Sequence, residues 1–413
     1  MKSKLVIAGV ATAIVAAGIL IGVSINRSTP PTDPTCEPVA VGAAATPNVV
    51  LGDPDYVAIV VANTANSPVA SLSSDAQAVI ARALTSGTDG KQHVVMISAT
   101  AMPHVATIDL KPLANNGTES GNAKIVSNNL KLINMALAQP PTSQGMSLFE
   151  GIGIAQDWLI SQGAKSPLIV TAASGLDDTG PFTTTAGLLN NDPEHIADSM
   201  ALGNPGMSLS GTTILAQSLG YTAPPQQTAT AAQRQLISDA WTLTLSRFGA
   251  KVVVDPMPAV NCSVTTDLPV ETTNLPETTK VINCDQQTID MSMPAVLLFD
   301  GDDWHLVKGA DEALTPLLTV MQQNPDANLT LTGHTALVYN DDPVKDLDLS
   351  RKRALSVATW LTDRGIPASR IAASGVGSSE ATCPLNRNGT QAVCAGQDRT
   401  VDAHVTGLAS CPN

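Results

Sequence analysis

The sequence predicts an α/β protein in three parts: an N-terminal transmembrane helix, a doubly wound domain on a mostly parallel sheet, and a smaller C-terminal domain of strands and helices. Three observations predict it. Leu5–Ile25 is an apolar run of 21 residues without a charge. Tyr56–Pro256 alternates short apolar strand signals with longer amphipathic helix signals, the pattern of successive β-α-β units. Leu329–Val405 sets one amphipathic helix between strand-like segments.

The first part is a signal anchor at residues 1–26. Its apolar run follows Lys2 and Lys4 and matches the roughly 20 residues that span a bilayer. A cleaved signal peptide has a shorter apolar core, about 7–15 residues, and a small-residue cleavage site; Ala16-Ala17-Gly18 keeps that alternative open. Positive charge on the N-terminal side predicts N-in topology, a single pass through the cell membrane with everything after Arg27 outside the cytoplasm. Residues 27–53, rich in Pro, Thr and Ala, make a flexible tether. Fully extended, it reaches about 90 Å at about 3.3 Å per residue.

A net charge of −14 without a basic run or basic-aromatic face argues against nucleic acid and against attraction to anionic lipid. The chain's 413 residues leave room for two or three domains, and a 43% share of hydrophobic residues is enough to build their cores. Six cysteines, an even count in an exported chain, read as disulfides rather than as a metal site. Fifteen pairings are possible. Cys262 and Cys284 bracket a Pro/Thr-rich stretch, so residues 257–290 read as a disulfide-looped connector.

In the α/β part, residues 54–256, VAIVVA (57–62) is a continuous apolar strand of the kind buried on both faces. Helices are expected at Ser73–Leu84, Asn122–Ala138, Ser147–Ser161 and Ala229–Phe248. Strands are expected at His93–Ala99, Leu168–Ala173, Thr212–Leu219 and Lys251–Val254. This Rossmann-like order and its turns resemble a von Willebrand factor A-type domain. The resemblance implies a divalent metal held by an Asp-x-Ser-x-Ser loop, a Thr and a second Asp. Here Asn63 and Ala65 stand in the loop, Ser147 is the nearest match in the second segment, and Ser174 replaces the second Asp. A hard cation wants several anionic oxygens, so no metal and no cofactor is expected.

In the C-terminal part, Ala354, Val357, Ala358 and Leu361 form one apolar stripe. Ser350 reads as the cap of a helix beginning at Arg351, and Gly365 with Pro367 ends it. GHT (333–335), SRKRA (350–354) and QDRTVDAHV (397–405) together resemble an OmpA-like domain. Upstream, AVLLFDGDDWHL (295–306) is similar to that family's opening strand and turn, and GADEALTPLLTVMQQNP (309–325) to its first helix. The resemblance covers 291–406, leaves 407–413 as a tail, and implies a βαβαββ-type α+β fold. Some OmpA-like domains carry a cystine where Cys383 and Cys394 stand; Cys36 and Cys411 remain, with their pairing open.

The resemblance also implies a ligand, the diaminopimelate of peptidoglycan stem peptides. In the family, an Arg near the start of the central helix takes its carboxylate and an Asp after the GHT-like strand end takes its ammonium. The Arg is Arg353, suited by its planar fork and a nearby helix N-terminus. The Asp position is Ala336, so Asp341 or Asp342 is the substitute acceptor. Asp346 stands where an Asn is usual. His334 lies in the GHT loop, and Arg399 matches a family Arg near the last strand, or else pairs with Asp398 or Asp402.

No GxSxG elbow, phosphate-binding P-loop or HExxH occurs, and no enzyme is expected. The sequence reads as an envelope protein tethering membrane to peptidoglycan, with an envelope protein as the possible partner of the α/β domain. The alternative is an assembly protein whose two degenerate domains serve as protein-docking surfaces.

Overall fold

The computed structural model describes residues 51–409 except for the short stretches 87–89, 114–116, 256–265, 270, 340–341 and 385–392. The expected anchor and tether, apart from residues 51–53, lie outside the described residues. Among the described residues no helix is long and apolar enough to cross a membrane.

The α/β part runs β1 (Tyr56–Val61), α1 (Ser74–Ser86), β2 (Val94–Ser98), β3 (His104–Ala106), α2 (Glu119–Leu137), α3 (Leu148–Gln162), β4 (Pro167–Ala172), α4 (Pro193–Gly203), β5 (Thr213–Gln217), α5 (Ala231–Arg247) and β6 (Lys251–Asp255). The sheet order is β3-β2-β1-β4-β5-β6. All neighbours pair in parallel except β2 with β3. All six residues of β1 are buried, and their alternation feeds two cores. Tyr56, Ala58 and Val60 join α3 and α5, while Val57, Ile59 and Val61 join α1 and α2. The sheet is doubly wound, as expected. Local chemistry agrees with the helix ends: Thr230 and Gln233 form a reciprocal capping box at α5, and Gly163 closes α3 in the left-handed conformation. Two elements were not expected. β3 has three residues at an edge, and α4 is announced only by Asp192, whose carboxylate caps it ahead of Pro193.

The C-terminal part contains β7 (Thr279–Asn283), β8 (Thr288–Pro294), α6 (Ala310–Gln323), β9 (Asn328–His334), α7 (Pro343–Thr362), β10 (Ile371–Gly377) and β11 (Thr400–Thr406). The order β8-α6-β9-α7-β10-β11 is the expected βαβαββ, with β7 added at one edge of a sheet ordered β10-β9-β11-β8-β7. Three expectations are corrected. The opening strand is β8, where Ile289, Met291 and Met293 alternate inward; the apolar AVLLF segment begins a 3-10 turn, 295–297. β7 and the start of β8 therefore fall within 257–290, the stretch expected to be a looped connector. Finally, α7 begins at Pro343, not Arg351. Asp342 caps it, accepting from the Val344 amide at 3.1 Å. Pro343 at the first helical position makes that start favourable.

Ser350 is an interior residue of α7, fully buried. Its hydroxyl donates to the Leu347 carbonyl (3.0 Å) and accepts from the Gly377 amide (2.9 Å). Here the helix backbone lies directly on the sheet. A Cβ on Gly333 would sit 2.0 Å from the Ser350 carbonyl oxygen, and one on Gly375 would sit 2.2 Å from the Arg351 nitrogen. Only glycine allows that approach.

The two parts share one continuous apolar core, in which Leu236, Ile237 and Trp241 of α5 join Leu297, Leu298 and Phe299. The segment before β7 straps across the strand ends of the first domain. Gln226 brackets Thr273, accepting from its amide (2.8 Å) and donating to its carbonyl (2.9 Å). Gln233 donates to the Pro276 carbonyl at 2.7 Å.

Candidate ligand cleft of the C-terminal domain

Arg353 sits in the third turn of α7 and is 2% exposed. Its Nε donates to the Asp303 carbonyl at 3.0 Å and its Nη2 to that of Gly301, while the guanidinium lies 5.3 Å from the centre of the Phe299 ring. The turn after the 3-10 segment thus cradles one edge of the fork. Nη1 has no hydrogen-bond partner among the described residues. Burial lowers the Arg353 pKa to about 10, opposed by the charge of Asp302, and Arg399 adds to the lowering. The group stays cationic at neutral pH. Because α7 starts ten residues earlier, its N-terminus lies about 15 Å away at 1.5 Å per residue, and the helix dipole does not help Arg353 hold an anion.

The other expected residues divide. Asp346, in the first turn of α7, is buried against Gly377. Asp342 is committed to capping α7 and lies 3.7 Å from the Lys345 ammonium. Asp341 lies outside the described residues. His334 ends β9 with its side chain among the Thr330 and Thr332 positions, opposite the face that Leu329, Leu331 and Gly333 turn to the helices. It stands 3.3 Å from Asp402 and 3.6 Å from Glu380, so the fold does not bring it together with Arg353. Asp402 raises the His334 pKa, and burial opposes the rise only in part. Arg399 is buried just before β11, and its charge acts on Arg353 and Asp192. The two carboxylates expected beside it each hold further donors. Asp398 accepts from the Thr382 and Cys383 amides, each at 2.9 Å. Asp402 accepts from the Ser292 hydroxyl at 2.7 Å.

Ala336, where an Asp was expected from the resemblance, is 3% exposed and packs with Cys383, Ala395, Cys394 and Val338. Cys383 and Cys394 form a disulfide, with Cα atoms 5.6 Å apart. Cys284 is also disulfide-bonded; Cys262, Cys36 and Cys411 lie outside the described residues. Arg353 is therefore a buried cation, and an apolar wall stands where an ammonium acceptor was expected.

At the strand ends of the first domain, Asn63 spends its amide on the chain. It donates to the Leu137 carbonyl and to that of Gln139 (2.9 Å), and accepts from the Ala70 amide (3.3 Å). Ser67 and Ser174 bond each other at 3.0 Å, and Asn66 reaches the Glu271 carbonyl of the strap at 3.3 Å. Ser147 is fully buried at the head of α3. These are neutral oxygens, a poor set for a hard cation. Among the described residues no group of three or more His, Cys, Asp or Glu side chains is placed to hold a metal.

Residues 298–394 match the OmpA family. The chain carries an OmpA-family domain. A curated relative, outer membrane protein A of Serratia marcescens, is 30% identical over 131 residues, covering 30% of this chain and 36% of that protein; the chain spans about a third of that relative's length. Among solved structures, the cell wall anchor of the T6SS from Pseudomonas aeruginosa is 16% identical, covering 32% of this chain and 88% of that one, with a TM-score of 0.28. The periplasmic domain of Helicobacter pylori MotB is 15% identical over 32% of this chain and 83% of its own, with a TM-score of 0.27. The matched region places Arg353, His334, Asp342 and Asp346 in the OmpA domain, with Arg399 just beyond it. Asp192 and the carbonyls of Gly301 and Asp303 were not singled out from the sequence. The Asp192-Pro193 pair signals a helix start, but nothing local signals that its charge acts on Arg353.

Proposed function

We propose that this chain is a non-enzymatic envelope protein that tethers the membrane to peptidoglycan. In this reading residues 1–26 anchor it, 27–53 form the tether, and the α/β domain, a vWA-like scaffold without its metal, acts as spacer and docking platform for an envelope protein. The OmpA domain holds the stem-peptide diaminopimelate, with the bulk of the chain outside the cytoplasm. The observation that carries this is Arg353: it lies inside the family match, and its Nη1 makes no hydrogen bond to the described residues, which leaves that nitrogen for a ligand carboxylate. Arg399 adds positive potential beside it. Asp341 or Asp346 would have to take the ammonium, since Asp342 is a cap and Ala336 is walled by the cystine.

Co-sedimentation of the purified full-length chain with sacculi tests the reading. Arg353→Ala should weaken retention by about 2–4 kcal/mol, the range for losing one partner of a desolvated charge pair. Arg353→Lys should restore part of it, because an ammonium lacks the fork. Melting curves on the same samples separate lost binding from loss of the bonds to Gly301 and Asp303. Wild-type protein that stays in the supernatant would refute the tether.

The burial of Ala336 favours the second reading, in which both domains are docking surfaces. It predicts that Ala336→Asp places a carboxylate against the cystine, lowers the melting temperature and leaves wall binding unimproved. Tighter sacculus binding by that variant would count against it.

A further inference from the structure

We propose that the outward face of α7 is a self-association surface, on which two copies of this chain pair through antiparallel α7 helices about a two-fold axis. Arg353 points to the opposite side of the helix, into the domain, so the pairing does not depend on the stem-peptide site.

α7 seats on the sheet through Ser350, Arg353, Ala354, Val357, Trp360 and Leu361, all buried. Its other side carries Val344, Leu347 and Leu355, which stay 76%, 49% and 43% exposed, where a helix packed on one side normally shows water its polar residues. At about 100° per residue these three, with Asp348 and Arg351, fall in one arc roughly 100° wide. Within that arc Val344, Asp348, Arg351 and Leu355 follow each other at the alternating four- and three-residue spacing of a helix-pairing seam. The seam is apolar at both ends and charged in the middle, where Arg351 Nη2 lies 3.5 Å from Asp348 Oδ1 and both side chains remain about half exposed.

This order reads the same from either end once the signs of the two charges are exchanged, and that fits it to a second copy. In two antiparallel helices centred on the Leu349–Ser350 peptide bond, Val344 of each copy faces Leu355 of the other. Asp348 of each faces Arg351 of the other. Two opposite-charge pairs then lie between two apolar contacts, as an isologous interface requires. A parallel pairing would instead set Asp348 against Asp348 and Arg351 against Arg351, and like charges placed together in this way oppose association. The seam is short, about 16 Å at 1.5 Å per residue, so the contact belongs with weak interfaces, below about 1,200 Å².

Sedimentation equilibrium of the full-length chain in detergent tests this from about 5 to about 200 μM, the range that a weak contact demands. Wild type should pass from monomer to dimer, and Val344→Glu should stay monomeric. Asp348→Arg alone and Arg351→Asp alone each set like charges across the seam and should weaken association about tenfold. The double variant carrying both restores opposite charges and should return to about the wild-type constant. Melting curves check that each variant is folded. A wild type that stays monomeric overturns the proposal. So does a dimer indifferent to Val344→Glu, which would form through another surface, or a double variant no tighter than the single ones, which would exclude the antiparallel register.

Discussion

At Asp177 a carboxylate is fully buried at the head of α3. One oxygen accepts from the Phe149 amide at 3.0 Å, and the other has no partner among the described residues. Burial pushes its pKa well above the usual carboxylate range, against the pull of the α3 amides, with Asp178 and Glu150 adding to the rise. A raised folded-state value means that the neutral form stabilises the fold below the unfolded pKa, and that this stability is lost as pH rises through the folded value. Asp177→Asn should therefore raise the melting temperature at pH 7–8 by about 2–4 °C, the shift per 1 kcal/mol for a domain of this size, and change little near pH 4. A loss at neutral pH would show that the anion is needed. His334 is a second case. Its raised pKa, due first to Asp402, contributes stability that is present below its unfolded value of about 6.5 and is lost as pH rises through the folded value. His334→Gln should lower the melting temperature at pH 5.5 and have little effect at pH 9. At this scale Arg353 was legible because a motif carries it, but its bonds to Gly301 and Asp303 were not. They depend on the turn after a 3-10 segment that reads as strand, since AVLLF is apolar enough for either.

At the scale of elements, the seating of α7 on β9 and β10 depends on backbone contact through Gly333 and Gly375. Gly333→Ala would force its methyl into the Ser350 carbonyl, and overpacking of this kind costs about 1–3 kcal/mol. Denaturant melts should show that loss. An unchanged midpoint would mean the helix shifts freely. The start of α7 was misread because Ser350 and Asp342 both satisfy capping chemistry; Pro343 decides between them, and Ser350 is spent on Leu347 and Gly377 instead. β1 was plain in the sequence, since burial on both faces leaves an unbroken apolar run. β7 was hidden for the opposite reason: as an exposed edge, TKVIN has no apolar alternation to announce it. The Cys383–Cys394 cystine joins positions separated by 11 in the sequence and is worth about 2–3 kcal/mol in a chain-entropy estimate. The Cys383→Ser, Cys394→Ser double variant should lose about that much.

At the scale of the whole molecule, the doubly wound sheet and the βαβαββ order follow from periodicity and motifs. The contact between the domains does not, because α5 meets there a 3-10 turn, a strap and the turns 187–192 and 393–398, which carry no pattern of their own. If Leu5–Ile25 anchors the chain, the protein should stay in the membrane pellet after alkaline extraction; release into the supernatant would point to cleavage. An anchored chain held by the wall is also a mechanical element. Load from the membrane enters at Tyr56, the start of β1, which pairs in parallel with β2 on one side and β4 on the other. A pull along β1 strains both ladders in shear, many bonds together, whereas a pull on an outer strand would peel them one at a time. The entry strand is thus the one best placed to bear tension.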